Sequence, residues 1–217
     1  MEVSKPQERC NYCCPNLPLD QKVLLDPLGH HALAVCPGLG RTRRHDAVKH
    51  WLANTLIQAG FQNVQVEPPS FMKGDRKRPA DVLVSNLRGR GGISAIDITL
   101  ISPLSDKWWP HAQRGNLEHL SIKHKEKMAE NQRACGVNGW TPVPFVCDIF
   151  GALHKSSKDI ISVIATKYAA ALSVSVSEAS TLLFSQLSLI TQKQNALAII
   201  IRAEGESGMR RRLKLGP

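Results

Sequence analysis

The sequence predicts a mixed α/β protein, because a helical apolar pattern precedes several strand-like segments and a long helical region follows them. Apolar residues recur at helical spacing over 46–59, and Gly60 stands where a helix commonly ends. The segments 64–67, 80–85 and 93–100 are rich in Val, Ile or Leu and are bounded by Gly, Pro or Asn, as strands are. The predicted order is helix, three strands, helix, strand and further helices.

The second half of the chain supplies the remaining elements. Residues 115–134 are charged and compatible with a helix, and 141–146 have strand character. Two prolines confine that strand to a sheet edge or a bulge, because proline cannot donate to a hydrogen-bond ladder. Residues 156–203 are again helical in pattern, and Ser175 begins a Ser-Val-Ser-Glu run with the spacing of a capping box, which starts a second helix there.

Composition divides the chain into four parts. Residues 1–45 hold four of the six cysteines and no long periodic segment, which indicates a small module or a tail. We predict this cysteine-rich module at 1–45, an α/β core at 46–155, a helical extension at 156–205 and a basic tail at 206–217.

The net charge points to a polyanionic partner. Lys and Arg number 28 against 18 Asp and Glu, a formal charge of +10, which favours nucleic acid or an anionic membrane surface. The longest apolar run, 196–201, is far shorter than the roughly 18 residues of a membrane span, and no secretion signal is visible at the start. We therefore expect an intracellular protein, nuclear or cytoplasmic, whose cysteines are thiols or metal ligands.

Cysteine and histidine spacing predicts a zinc site in the first module. Cys10 and Cys13 are separated by two residues, so both sulfurs can reach one ion from a tight turn. His31 and Cys36 can supply the other two ligands of a tetrahedral site. The alternative is a tail of free cysteines with two histidines on a turn. Two ligand positions are open between neighbours: Cys13 or Cys14, and His30 or His31.

Two aspartates on adjacent predicted strands form a second group. Asp81 opens one strand, and Asp97 lies between two isoleucines of the next, where an unpaired carboxylate would be costly. Two close carboxylates repel unless a cation lies between them, and Mg²⁺ prefers oxygen ligands of this kind. Glu67, at the end of the preceding strand, is a candidate third ligand. The alternative is that the aspartates cap turns or pair with an arginine: Arg76, Arg78 or Arg88.

A basic helix follows the second aspartate. A lysine beside a metal site can orient or deprotonate water and stabilise a pentavalent phosphate, although most lysines of a charged helix face solvent. Trp108 and Trp109 precede this helix, and we interpret them either as base-stacking residues or, more commonly, as core residues. The cations of the predicted helix are Lys123, Lys125, Lys127 and Arg133.

The ordered set of motifs resembles the C-terminal end of non-LTR retrotransposon polyproteins that carry a restriction-like endonuclease. In that family a zinc knuckle leads into a PD-(D/E)xK nuclease. The resemblance covers roughly residues 10–170 and implies a restriction-endonuclease-like αβββαβ core, preceded by the zinc knuckle and followed here by a helical extension. The matching run comprises Cys10, Asp26-Pro-Leu-Gly-His-His31, Cys36, Arg44-His45-Asp46, Arg78-Pro-Ala-Asp-Val-Leu-Val84, Asp97-Ile-Thr99, Lys127, Cys135 and Gly139-Trp140.

The resemblance also implies roles for individual residues. Asp81 corresponds to the aspartate of the PD motif, and Asp97 to the second metal ligand. Thr99 stands where many nucleases have a lysine, but this family places its lysine on the following helix, and counting back from Cys135 selects Lys127. The implied activity is a Mg²⁺-dependent DNA endonuclease with a structural Zn²⁺, and the implied partners are DNA and the RNA of the element.

Two other functions compete with this one. No polymerase signature is visible, so the chain resembles a detached end of such an element or a host gene derived from one. A catalytically decayed nucleic-acid-binding module with a structural zinc is therefore the first alternative, whereas the retained aspartates and lysine favour the nuclease. A purely structural, zinc-stabilised domain is the second, and it leaves the +10 charge unexplained.

Overall fold

The structure, a computed structural model, describes residues 9–10, 16–26, 29–36, 39–68, 80–89 and 91–214, with the backbone alone at 19, 35, 39 and 204–214. A 3₁₀ turn at Leu19–Gln21 and a short π-helical turn at His31–Val35 precede the larger elements. The helices are α1 (Leu39–Gln58), α2 (Trp109–Gln113), α3 (Glu118–Val137), α4 (Lys155–Leu172) and α5 (Val176–Lys214). The strands are β1 (Gln65–Val66), β2 (Val82–Ser85), β3 (Ile93–Ile101) and β4 (Trp140–Asp148).

The four strands form one mixed sheet in the order β1-β2-β3-β4. β1 pairs antiparallel with β2, β2 pairs antiparallel with β3, and β3 pairs parallel with β4. The α/β class and the predicted sequence of elements are confirmed. β4 is an edge strand, as its two prolines predict, because an edge strand can leave one side of its backbone without ladder hydrogen bonds.

The two faces of the sheet carry different helices. One face of the sheet packs against α1, α4 and the first part of α5. Successive side chains of each strand point to opposite faces of the sheet, so every second residue faces these helices. α3 covers the opposite face, where Cys135 packs with Leu83 and Ala95. The main core contains Leu52, Leu56, Val82, Val84, Ile96, Ile98, Phe145, Ile160, Ile164, Leu183 and Leu187.

The start of α1 and the end of α5 differ most from the prediction, whereas α3 lies three residues later than predicted at both ends. α1 begins at Leu39, so the predicted domain boundary between 45 and 46 falls inside this helix, whose first two turns lack an apolar repeat. The helix ends at Gln58, and Gly60 follows its end as predicted, with a φ of +76° that suits glycine. The capping box that starts α5 is confirmed, since the amide of Glu178 donates to Oγ of Ser175 at 3.2 Å. α5 then continues through most of the predicted tail, because an established helix propagates easily through Arg, Leu and Lys.

The N-terminal region shares its interior with the C-terminal helix. Leu33, from the turn before α1, packs with Ile149 and with Ala198 of α5. Asn195 of α5 donates to the carbonyl oxygen of Ile149 at 2.7 Å and accepts from Arg44 of α1 at 3.1 Å. The predicted first module and the predicted extension therefore lie against each other.

None of the described helices is individually long and apolar enough to cross a membrane. By length and composition alone, α4 together with the Val176–Ala203 part of α5 meets that criterion as a pair bent by 115°.

Candidate active site and metal centre

A cleft of about 590 Å³ opens at the carboxyl end of β3. It lies between the N-terminal half of α1 and the middle of α3, and the residues of β3 from Asp97 to Ile101 line its floor. Its polar and charged lining residues include Arg41, Thr42, Arg44, His45, Asp81, Asp97, Ser102, Ser105, Lys107, Lys123 and Lys127. The cleft thus combines two carboxylates with five Lys or Arg side chains and one histidine.

The pairing of β2 with β3 brings the two aspartates together. Val82 lies opposite Ile96 in the antiparallel register, and continuing that register by one residue places Asp81 opposite Asp97. The amide of Asp81 donates to the carbonyl oxygen of Ile96 at 2.9 Å, and the amide of Ile98 donates to Oδ2 of Asp81 at 2.7 Å. The Asp81 carboxylate is therefore fixed against β3.

Asp97 forms an ion pair with Lys127 of α3. Nζ of Lys127 lies 3.3 Å from Oδ2 of Asp97 and 3.2 Å from Oε2 of Glu130. Burial raises the pKa of Asp97; the Lys127 ammonium opposes this shift and the Asp81 carboxylate adds to it. Burial would lower the pKa of Lys127, but the two carboxylates outweigh it and the pKa is raised. Asp97 is thus a desolvated carboxylate held next to a charged lysine.

His45 of α1 contacts the other aspartate. Its Nε2 lies 3.1 Å from Oδ2 of Asp81, and its Nδ1 lies 3.4 Å from Oδ1 of Asp46. The hydrogen bond to Asp81 raises the pKa of His45, against the effect of burial. The sequence names His45 only within the run that resembles the nuclease family and gives it no role. Its contact with Asp81 joins residues 36 positions apart, which no local pattern reveals.

Glu67 does not join the aspartates in the cleft. Its carboxylate forms an ion pair with Lys49 of α1, its side chain is 41% exposed, and it is not among the described residues that line the cleft. The strand ends before Glu67, whose φ of +50° is left-handed, so the side chain does not continue the alternation of β1. Its backbone amide nevertheless donates to the carbonyl oxygen of Asp81 at 2.7 Å.

The remaining predicted residues divide between the cleft and the surface. Lys123 lines the cleft and pairs with Glu126 at 2.9 Å, whereas Lys125 and Arg133 are exposed.

Trp108 is a core residue, packed with Ile101, Leu120 and Val146, and Lys107 lies over its ring at 4.4 Å. Trp109 is exposed. Of the three arginines considered as partners for the aspartates, Arg76 and Arg78 lie outside the described residues, and Arg88 is exposed.

Cys10, His31 and Cys36 form a group that can hold a metal ion such as zinc. Their ligand atoms all lie within 4.8 Å of one another, and both cysteines are buried. The two sulfurs are 3.9 Å apart. Two sulfurs bound to one tetrahedral zinc are about 3.8 Å apart, given Zn–S bonds of about 2.3 Å. The sulfurs therefore already have the spacing that zinc requires, and the two residues are not joined in a disulfide.

Asp26 holds the turn that carries the histidine of this group. Its two carboxylate oxygens accept hydrogen bonds from the backbone amides of His30 and His31 at 2.8 and 3.0 Å. Of the two candidate histidines, His31 belongs to the group and His30, which is exposed, does not. Burial lowers the pKa of His31, and a neutral imidazole is the form that binds metal. Cys13 and Cys14, the candidates for the fourth ligand, lie outside the described residues.

The chemistry of the cleft follows from its charges. Asp81 and Asp97 present oxygen ligands of the type that divalent cations prefer, and Lys127 supplies a cation beside them. The basic side chains around them suit a phosphate-bearing ligand. No protein-family model, no curated protein and no solved structure matches the chain.

Proposed function

We propose that the chain is a metal-dependent DNA endonuclease of the restriction-like class, derived from a non-LTR retrotransposon. The observation that carries the proposal is the convergence of Asp81, Asp97 and Lys127 in one basic cleft. The order of the elements and the mixed sheet, with three antiparallel strands and a fourth added in parallel, fit an αβββαβ nuclease core.

The carboxylates suit a magnesium ion. Burial is the main cause of the raised pKa of Asp97 and repulsion from Asp81 adds to it, so a divalent cation bound by the two carboxylates would offset both effects. In this proposal the cation acts as a Lewis acid toward the scissile phosphate when bound. Contacts with the protein hold Oδ2 of Asp81, because the amide of Ile98 donates to it and Nε2 of His45 lies 3.1 Å from the same atom.

Lys127 has a different role beside the same phosphate. Its ammonium, fixed between Asp97 and Glu130, is placed to orient the attacking water and to offset negative charge that develops on the phosphate. The raised pKa keeps this amine protonated at neutral pH. Arg41, Lys107 and Lys123 would hold the flanking DNA phosphates by charge.

The metal group completes the proposal as a structural zinc knuckle. Cys10, His31 and Cys36 would bind Zn²⁺ with Cys13 or Cys14 as the fourth ligand. Leu33 and Ala34, from the turn that begins with His31, line the cleft, so zinc would order one of its walls. The proposed partner is DNA, with element RNA as a further nucleic-acid ligand.

Incubation of the purified chain with supercoiled plasmid tests the function. We expect nicked or linear products in the presence of Mg²⁺ and none in the presence of EDTA. EDTA can also strip zinc, so a parallel sample contains Ca²⁺, which binds carboxylates but commonly fails to support phosphodiester hydrolysis because its coordination is looser than that of Mg²⁺. Intact plasmid in Mg²⁺ and in Mn²⁺ would contradict the proposal.

One observation favours a non-catalytic alternative. Each aspartate already has a protein partner when no metal ion is bound, Lys127 for Asp97 and His45 for Asp81, so neither carboxylate depends on a metal ion for its partner. A decayed nuclease that retains only nucleic-acid binding would have the same contacts. The plasmid assay separates the two functions, because the decayed module would retain DNA binding and leave the plasmid intact.

A further inference from the structure

A fully buried arginine of the C-terminal helix lies against the metal group. Arg202 of α5 is 1% exposed, and its Nη1 donates to the carbonyl oxygen of Ala198 at 3.0 Å. Its guanidinium also lies next to the Cys36 thiol. A cation removed from water this completely is costly unless an anion or several acceptors surround it.

Two glycines allow α5 to approach the N-terminal region this closely. A Cβ atom on Gly40, in the first turn of α1, would lie 2.8 Å from Nη1 of Arg202 and 3.0 Å from Nη2. A Cβ atom on Gly29, whose φ is +69°, would lie 2.8 Å from Cδ1 of Ile199. These distances are shorter than ordinary van der Waals contact, so both side chains of α5 occupy space that only glycine leaves open.

Positive charge is concentrated around the guanidinium. Arg44 is also buried, and its pKa is lowered to about 10 by burial, by Arg202 and by Arg41. Arg44 donates to neutral acceptors, the side-chain oxygen of Asn195 at 3.1 Å and the carbonyl oxygen of Leu33 at 3.5 Å. A region with this excess of cationic groups favours a negatively charged group beside it.

Thiolate ligands of zinc would supply negative charge at this place. Cys10 and Cys36 would each bind the ion as a thiolate, and the predicted third thiolate is Cys13 or Cys14, outside the described residues. With that third thiolate and one neutral histidine, the zinc site would have a net charge of 2 − 3 = −1. Hydrogen-bond donors to ligand atoms are the outer contacts that orient metal ligands and increase metal affinity.

We propose that Arg202 is a positioning residue of the zinc site, which donates to the Cys36 sulfur and offsets the charge of the thiolates. The inference rests on the zinc site of the proposed function. It makes the C-terminal helix part of the metal module, although the ligands lie more than 160 residues before Arg202 in the sequence. The two ends of the chain therefore act as one unit.

Substitution of the arginine tests this role on the zinc-loaded protein. Arg202→Met removes the positive charge and the hydrogen-bond donors but keeps a long apolar side chain. Arg202→Lys keeps the positive charge but not the guanidinium. We expect Arg202→Met to release zinc to a chromogenic chelator at least about tenfold faster than the wild type, with Arg202→Lys between them. Lys193→Met removes an exposed cation of the same helix and should release zinc at the wild-type rate.

Thermal unfolding with and without zinc separates a role toward the metal from simple packing. If Arg202 offsets thiolate charge, Arg202→Met lowers the melting temperature of the zinc-loaded protein more than that of the zinc-free protein, where it removes a buried cation. Equal losses in both forms, or unchanged zinc release, would overturn the role. If Arg202→Met does not fold, Arg202→Gln, which also lacks the charge, carries the same comparison. If the wild type contains no zinc, the zinc site itself is refuted. If the wild type binds zinc and Arg202→Met releases it at the same rate, only the role of Arg202 is refuted.

Discussion

Nζ of Lys127 lies 3.3 Å from Oδ2 of Asp97, an ion pair that joins α3 to β3 at the floor of the basic cleft. The pair connects a residue in the middle of an apolar strand with one on a charged helix. Strand alternation turns Asp97 toward the face that α3 covers, together with Ala95. The contact therefore depends on the tertiary fold, which brings the Asp97 carboxylate and the Lys127 amine next to each other.

Asp97→Asn should leave the metal-free protein at least as stable as the wild type at neutral pH. Because the pKa of Asp97 is raised in the folded state, its ionisation opposes folding. That penalty is absent below the unfolded pKa of about 3.9 and is fully present above the folded pKa. The stability difference between mutant and wild type should therefore shrink as the pH falls through this window, as measured by urea unfolding in EDTA. Marked destabilisation by Asp97→Asn at neutral pH would show instead that the ion pair with Lys127 supports the fold.

His45→Gln should remove a pH-dependent part of the stability of the metal-free protein. The pKa of His45 is raised by its hydrogen bond to Asp81, so protonated His45 stabilises the fold. This contribution is fully present below the unfolded pKa of about 6.5 and is lost as the pH rises through the folded pKa. Unfolding curves should show the loss in the wild type and lack it in His45→Gln. His50→Gln is the matched control, since His50 is exposed on the same helix.

The sequence identifies the strands and the aspartates well, because local patterns determine them. The prolines of β4 predict its edge position, and Asp97 stands out as a charge within an apolar strand. The contacts of His45 and Arg202 escape such reasoning, since each depends on residues far away in the chain. The predicted position of Glu67 beside the aspartates differs from the observed one for a related reason. Its position at a strand end is visible in the sequence, but its left-handed backbone and its partner Lys49 are not.

Cys36→Ser should reduce the zinc content from about one equivalent to well below it. Serine oxygen is a poor zinc ligand, and Cys36 is one of the two buried sulfurs of the group. The sheet core should still unfold cooperatively, because Val82, Ile96 and Phe145 pack among themselves. Cys135→Ser is the control, since Cys135 is a buried thiol on α3, outside the group, and should keep the metal. Zinc analysis of protein purified under reducing conditions decides the outcome, and a wild type free of zinc would contradict the site.

Arg41→Ala should weaken duplex DNA binding for all sequences alike and reduce the slope of log affinity against log salt by about one. Arg41 is exposed at the rim of the cleft, where a guanidinium can reach a phosphate. Arg133→Ala removes an equally exposed arginine of α3 that is not among the residues lining the cleft, so it should change the slope less. Titrations at several salt concentrations measure both. Equal effects of the two substitutions would argue against DNA binding in the cleft.

Plasmid cleavage by the wild type and by Asp97→Asn in Mg²⁺ tests the central claim most directly. The substitution replaces a charged oxygen ligand with a neutral amide at nearly constant volume, and it leaves the basic lining of the cleft unchanged. Asp159→Asn, on the exposed surface of α4, serves as the matched control. The account predicts cleavage by the wild type and by Asp159→Asn, and a loss of several orders of magnitude in Asp97→Asn with DNA binding retained. Equal cleavage by wild type and Asp97→Asn, or no cleavage by any of the three proteins, would contradict it.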